Sequence, residues 1–554
     1  MNLKKRKLLS CSEIIFLIAL LLIFLIDIIT TYNVTATFFD GDASSEMVLA
    51  KHIFDNKQLF SSDWYYSTEI RAVCMQLVFS PLFLLFSDWH LVRFVGTIIL
   101  HIIYISCFGL ICHETKTSFK AFCVGASLLL LPVSVSYGRV VLYHCFYLSY
   151  IILGFLLFGL IIRFANKYNN KLQLIICTML IVIISFAGGL NGTRQLLIFN
   201  VPLIFGIVCL AFIRDYKTDK ASIFSKEILL LFIPSVISIV ATFAGYLVNT
   251  VILSKSYTFA SYAEYKLSIL PSSSLSDMLY GFLHLFGFRN NVQLLSILGL
   301  VSVMGVFAGV YCVVYSIKLL INVCNSEIPL SKQLFSLFFA FSFIVTVTVF
   351  ILTGGSHIYF FYLYFVPVTV WSIPTFIHFI DNSFDKISFF NSKILIPVAM
   401  TIILFVNGFC NILFFNGIYF KGQLYEGLDY KNKNLKVHLA PVIELIEEND
   451  YTLGYSTFWH SNVITELTDG QTEMVHIAYE NIDDTNTYLY YFNWLTAKST
   501  RLNDADKAFI LVGDLEQSSF DKLACNDICT LIFEDNKFSL YEINNLDEFK
   551  STIQ

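Results

Sequence analysis

Charge is what this chain has least of. Asp, Glu, Lys and Arg make up 14% of its 554 residues against 56% hydrophobic, and the mean hydropathy is +0.69. A soluble domain carries roughly a quarter of its residues charged, so that class is excluded and a polytopic membrane protein takes its place. The 13 cysteines include no CxxC pair, which excludes a zinc framework of that spacing. Most of them, Cys107, Cys112, Cys123, Cys177, Cys209, Cys312 and Cys410 among them, lie in apolar runs where Cys behaves as a small hydrophobe. Cys525 and Cys529 are the one pair in a polar region, and sequence leaves open whether they form a disulfide or stand near each other by chance. There is no internal repeat of 20–50 residues and no low-complexity tract. The net charge of −5 says little, because charge in a membrane protein informs by location, and nothing calls for a nucleic-acid partner.

What is present is a series of apolar runs. Lys4, Lys5, Arg6 and Lys7 precede the first, Ser12 to Thr30, which is read as an uncleaved span with a cytoplasmic N-terminus. Further runs lie near 73–87, 91–112, 119–135, 146–164, 172–187, 196–213, 227–249, 293–317, 332–352, 358–380 and 393–416. Lysines and arginines concentrate in Arg163–Lys171, Arg214–Lys226, Lys318–Lys332 and Asp381–Lys393, which assigns those loops to the cytoplasm. The alternating loops, including Thr250–Asn291 and everything after Asn416, then face outward. Twelve full crossings would contradict the loop charges. We therefore expect 73–87 to dip into the bilayer or lie as a short re-entrant helix beside a cavity, leaving eleven crossings; a thirteenth span within Thr250–Asn291 is the alternative.

From about Phe420 the composition becomes that of a soluble domain. The pattern predicts helix Val437–Glu448, strand Tyr451–Ser456, helix Trp459–Leu467, strand Glu473–Ala478, helix Tyr488–Ala497, strand Ala508–Val512, helix Leu515–Leu523 and a hairpin of Thr530–Phe533 with Phe538–Tyr541. That alternation implies an extracytoplasmic α/β layer. No Gly-rich phosphate loop follows its first strand, which argues against a nucleotide site. The domain division expected is 1–419, with a first external loop at 32–72, and 420–554.

Within that loop, Phe38–Arg71 gathers Asp40, Asp42, Glu46, Asp55, Asp63 and Glu69 beside Trp64, Tyr65 and Tyr66. Asp42 is expected to cap the helix-like stretch Ala43–Phe54, with Gly41 supplying the turn, and also to act as a general base on an acceptor hydroxyl, with Asp40 as the alternate base. The aromatic triplet reads either as an interfacial belt or as a surface for a sugar ring or headgroup. Glu69 and Arg71 either pair with each other or leave Arg71 to neutralise an anionic substrate. Elsewhere on the outward side stand Arg139 and His144, Asn191 and Arg194, His284 and Arg289, and His357 and Tyr359. Outward arginines oppose the positive-inside trend, and as a set they suit a phosphate-linked lipid. The Trp459-His460 pair, after the first strand of the C-terminal region, reads either as facing the membrane cavity or, for Trp459, as packing, and packing is the expectation.

These features resemble the membrane glycosyltransferases of the type-C fold (GT-C), including protein mannosyltransferases and lipid A aminoarabinose transferases. The resemblance rests on Asp40-Gly41-Asp42 in the first external loop, on Tyr65-Tyr66-Ser67-Thr68-Glu69-Ile70-Arg71, on the many spans, and on the external C-terminal α/β domain. It departs from those relatives in lacking the Lys-Pro-Pro that often follows the Glu, and in lacking the later acidic pair of oligosaccharyltransferases, which disfavours transfer to an Asn sequon. The resemblance implies a mostly α, polytopic helix bundle of about 11–13 spans in the cytoplasmic membrane. It implies an inverting transfer of a hexosyl or pentosyl group from a polyprenyl-phosphate donor to a hydroxyl on an envelope glycan, lipid or protein. Asp42 or Asp40 would be catalytic, and Glu46, Trp64, Tyr65, Glu69, Arg71, Arg139, His144, Asn191, Arg194, Arg289, His357 and Tyr359 would line the substrates. No cofactor is called for, and nothing in the residues indicates a divalent metal. The rival readings are a flippase or transporter of lipid-linked saccharides, for which Asp27 in the first span is the main feature, and an envelope polymerase or ligase.

Overall fold

The computed structural model describes residues 10–37, 39–218, 225–260, 272–289, 292–322, 329–352, 365–381, 392–417, 435–481 and 487–554. The chain forms two compact units. One comprises Met1–Thr31, Thr97–Val248 and Glu264–Gly427; the other comprises Tyr32–Gly96, Asn249–Ala263 and Leu428–Gln554.

The first unit is helical. Among the described residues the chain has eight helices long and apolar enough to cross a membrane: Cys11–Thr37, Trp89–Glu114, Leu148–Asn166, Lys171–Leu190, Leu196–Arg214, Lys226–Lys255, Leu330–Leu352 and Val398–Phe415. Shorter apolar helices include Phe119–Leu129 and Val366–Ile380. Leu148–Asn166 is the most enclosed of these, with Phe155 and Phe158 packed against Trp371 and Phe158 also against Phe335 and Phe338. Small side chains let the helices approach: Gly189 and Gly245 bring Lys171–Leu190 and Lys226–Leu247 to backbone contact, as membrane helices without a hydrophobic drive between them require. Asp27 is buried, and its carboxylate oxygen lies 2.7 Å from Nδ1 of His101, whose Nε2–H donates to the Leu142 carbonyl at 2.8 Å. This acid, deep within the first span, is therefore paired inside the protein.

The second unit carries a short parallel pair, β1 Tyr65–Tyr66 with β2 Thr258–Phe259, and is built on a six-stranded sheet: β3 Leu453–Thr457, β4 Glu473–Asn481, β5 Thr487–Tyr491, β6 Ala508–Gly513, β7 Cys529–Glu534 and β8 Phe538–Ile543, in the order β5-β4-β3-β6-β8-β7. The central pair and β4 run parallel, with Leu453 opposite both Glu473 and Ala508; the outer pairings are antiparallel. β6 is apolar throughout because both its faces are covered, as parallel strands require. Ala508, Ile510 and Val512 face Phe520 and Phe549, while Phe509 and Leu511 face Leu439, Val442, Ile446, Val463 and Ile464 of helices Leu435–Glu448 and Phe458–Leu467.

The expected helix over Tyr488–Ala497 is instead strand β5, followed by irregular chain. Its aromatic run pairs antiparallel with β4, Leu489 pointing into the core and the Tyr488 ring lying tilted beside that of Tyr490 at 6.1 Å, so strand packing overrides the helical spacing. The expected helix Leu515–Leu523 shrinks to Gln517–Phe520, and an unforeseen helix, Leu546–Thr552, closes the chain with Asn545 as its cap. The expected dip at 73–87 is a seven-residue helix, Gln76–Leu82. Cys525 and Cys529 are free thiols.

Candidate active site

The acidic loop belongs to the second unit, where it folds against the sheet domain. Helix Gly41–Asn56 begins at Asp40, which has extended backbone (φ −147°, ψ 163°) and whose Oδ1 accepts the Ala43 amide at 2.7 Å. The cap is thus Asp40 and not Asp42, because the chain is already helical at Gly41 and only the residue before it has the geometry to fold back onto the first turn. Asp42 stands in that first turn, half-buried, at the positive end of the helix. Gly41 makes the junction feasible: a Cβ there would lie 2.6 Å from the Phe458 carbonyl oxygen and 3.2 Å from the Trp459 Cα. The helix starts Gly41 and Phe458 therefore meet backbone to backbone. Phe458 takes the buried position, and Trp459, expected to be a packing residue, leaves 53% of its surface exposed.

Glu46 follows Asp42 by one helical turn and so shares its face. It is buried, and its carboxylate forms an ion pair with Arg71, whose backbone is left-handed at φ 54°. Arg71 thus answers Glu46 and not Glu69, and its charge is compensated within the protein. Glu69 accepts from the Thr68 hydroxyl. The stretch is clamped by Asn249, which takes the Ile70 amide at 3.1 Å and donates to the Thr68 carbonyl at 3.4 Å. A two-residue strand, β1 Tyr65–Tyr66, pairs in parallel with β2 Thr258–Phe259 from the long segment after the Lys226–Leu247 helix.

Trp64 is fully buried, 5.6 Å from the His52 ring and bridged to Ala497, so its ring serves the core of the loop and offers no face to a substrate. Tyr65 is partly exposed, with the Lys498 ammonium 5.4 Å and the Arg501 guanidinium 5.1 Å from its ring. His52 holds the Ser61 hydroxyl at 2.8 Å, and burial pushes its pKa down from 6.5 against the opposing pull of Asp63 and Asp55.

In the first unit, Arg139 lies in a π-helical turn, Gly138–Tyr143, and its carbonyl accepts the His144 amide at 2.8 Å. The next stretch brings Tyr147 and Tyr150 under Arg194, 5.6 and 5.5 Å from its guanidinium, and the Tyr150 hydroxyl donates to the Asn191 carbonyl. Arg289 is buried and donates to Asn411, which in turn donates to the Pro132 carbonyl just before the same segment. Arg139, His144, Asn191, Arg194 and Arg289 are therefore strung along Pro132–Tyr150 and its partners. His284 is buried in helix Ser272–His284. His357 and Tyr359 lie outside the described residues. Among the described residues no three His, Cys, Asp or Glu side chains come together as a metal site.

Sequence reasoning missed Arg93. It is buried, grips Glu466 with two bonds of 2.6 Å and donates to the Ala43 carbonyl at 3.1 Å, tying the Asp42 helix to Phe458–Leu467. It also missed Asn249 and Arg501, whose partners are far away in sequence and leave no local signal.

The chain is a mostly helical, polytopic protein of membrane type with a C-terminal α/β sheet domain. No protein-family model and no curated protein matches it. Among solved structures, the apo form of the Archaeoglobus fulgidus oligosaccharyltransferase is similar over 82% of this chain and 64% of its own, at 12% identity and a TM-score of 0.44. ArnT from Cupriavidus metallidurans, bound to undecaprenyl phosphate, is similar over 97% of this chain and 99% of its own, at 9% identity and a TM-score of 0.45. The A. fulgidus oligosaccharyltransferase AglB, in complex with an inhibitory peptide and a dolichol-phosphate, is similar over 82% and 64%, at 12% identity and a TM-score of 0.40. The chain spans about 64% of the length of the A. fulgidus protein.

Proposed function

We propose that the protein is a membrane glycosyltransferase that moves a sugar from a polyprenyl-phosphate donor to a hydroxyl of a cell-envelope acceptor, on the outer face of the cytoplasmic membrane. The observation that carries this reading is the division of labour between two acids: Asp40 holds the helix cap, so Asp42 is not the capping group. In the proposed reaction Asp42 takes the proton of the acceptor hydroxyl as its oxygen bonds to the anomeric carbon. The bond from that carbon to the lipid phosphate breaks with inversion, and the phosphate leaves as a stable anion needing no general acid. The positive end of the Gly41–Asn56 helix favours the ionised form that a base requires. For Arg194, whose guanidinium lies over the Tyr147 and Tyr150 rings in the first unit, we propose a role in holding a phosphate-bearing lipid. A polyprenyl phosphate is the kind of lipid held by the ArnT and AglB structures.

The transporter reading loses its main support, because Asp27 is accounted for by His101. Mass analysis of membrane lipids from cells lacking the protein tests the proposal. The expected result is accumulation of one polyprenyl-phosphate-linked monosaccharide together with loss of that sugar from an envelope component. An unchanged envelope and lipid pool would overturn it.

A further inference from the structure

Arg501 lies in the short turn Ser499–Leu502 and is half-buried, with its guanidinium 4.6 Å from the Tyr491 ring and 5.1 Å from the Tyr65 ring. The two rings hold the group in place without using its N–H donors, since a cation over an aromatic face is bound through the ring quadrupole. Those donors are unspent: among the described residues Arg501 has no carboxylate partner, and its Nη2 is buried with no hydrogen-bond acceptor. The nearby acids are committed elsewhere. Asp63 accepts from the Ser499 amide at 2.9 Å and from the Ser499 hydroxyl, Glu473 accepts from Asn503, and Asp504 pairs with Lys550 at 3.6 Å. A second cation, Lys498, stands over the same Tyr65 ring, anchored by a 2.6 Å bond to the Ser62 carbonyl. Burying a guanidinium without an acceptor is costly, and a fixed planar fork is the geometry that binds an oxyanion with two parallel bonds.

We propose that Arg501, with Lys498, binds an oxyanion carried by the acceptor, a carboxylate or phosphate group on the sugar or polymer that receives the transferred residue. The inference rests on the glycosyltransferase reading in naming the acceptor, because Tyr65 belongs to the same loop as Asp42. The site itself is read by binding alone. It makes the substrate class an acidic acceptor and gives specificity to residues that do not touch the reacting atoms.

The test is binding of glucuronate, glucose 6-phosphate and glucose to the full-length protein in detergent, followed by saturation-transfer NMR. The wild type is expected to prefer at least one anion over glucose by about tenfold or more, with the preference falling as salt is raised from about 0.05 to 0.5 M. The two anions distinguish carboxylate from phosphate. Arg501→Gln is expected to abolish the preference, and Arg501→Lys, which keeps the charge but not the fork, to leave part of it. If Arg501→Gln does not fold, Lys498→Gln alone should weaken the preference about threefold. Equal binding of anions and glucose by the wild type, no anion binding, or an undiminished preference in the variants would overturn the inference. Loss of transfer in an Asp42 variant bears on the chemistry and leaves this result untouched.

Discussion

The Ala43 amide finds its acceptor in Asp40, and removing that acceptor leaves a helix start without its side-chain cap. Asp40→Ala should therefore cost about 1 kcal/mol of stability, read as a lowered unfolding midpoint of the detergent-solubilised chain. At Gly41 the constraint is space. The helix runs within 2.6 Å of the Phe458 carbonyl oxygen at the position where a Cβ would sit, and a backbone atom cannot rotate aside. Gly41→Ala should cost about 1–3 kcal/mol and lower activity with it, because the displaced residue adjoins Asp42. The Asp40-Gly41-Asp42 tripeptide was legible as a helix start. Which aspartate capped it was not, since that depends on whether the first helical φ/ψ falls at Gly41 or one residue later.

At the scale of elements, helix Gly41–Asn56 is held by Arg93, whose bidentate pair with Glu466 is buried at both ends. Removing one partner strands the other charge in the interior, so Arg93→Ala or Glu466→Ala should each destabilise the second unit by about 3–5 kcal/mol, and the double variant by less than the sum. Thermal unfolding of the three variants checks this. The same helix carries a pH dependence. Burial holds His52 below its ordinary value of 6.5, so the unfolded chain binds a proton in a range where the folded chain does not. Its contribution to stability is present above pH 6.5 and is lost as pH falls from there through the depressed folded value. Unfolding midpoints measured from neutral to acid pH should decline in that window, and His52→Gln should flatten part of the decline. Elements whose signal lies in their own residues were read correctly: β3, β4, β6, the terminal hairpin and helix Leu435–Glu448 all stand within a few residues of the expected positions. The strand at Thr487–Tyr491 was misread because alternating tyrosines beside leucine satisfy a helical count as easily as a strand, and only pairing with β4 decides. The Asn545–Glu548 pair is a capping signal that was there to be found.

At the scale of the whole molecule, hydropathy carried the reading. Apolar runs of span length announce themselves, and eight of them are helices that meet that length among the described residues. What sequence did not show is that the first loop and the C-terminal sheet fold as one unit, because the contacts that join them, Gly41 with Phe458, Arg93 with Glu466, Tyr65 with Arg501, span hundreds of residues. The same distance hid Arg501 as a candidate for substrate recognition. Arg71, by contrast, looked available in sequence and proves to be matched by Glu46 one turn beyond Asp42.

The central claim is that Asp42 is the base of a sugar transfer, and the direct measurement is the transfer rate from a polyprenyl-phosphate sugar to its acceptor in Asp42→Asn and Asp40→Asn, side by side with the wild type. Asp42→Asn should fold normally and lose about 10²–10⁴ in rate, while Asp40→Asn, which can still cap the helix, should stay within about tenfold of the wild type. Full transfer by folded Asp42→Asn would contradict the account.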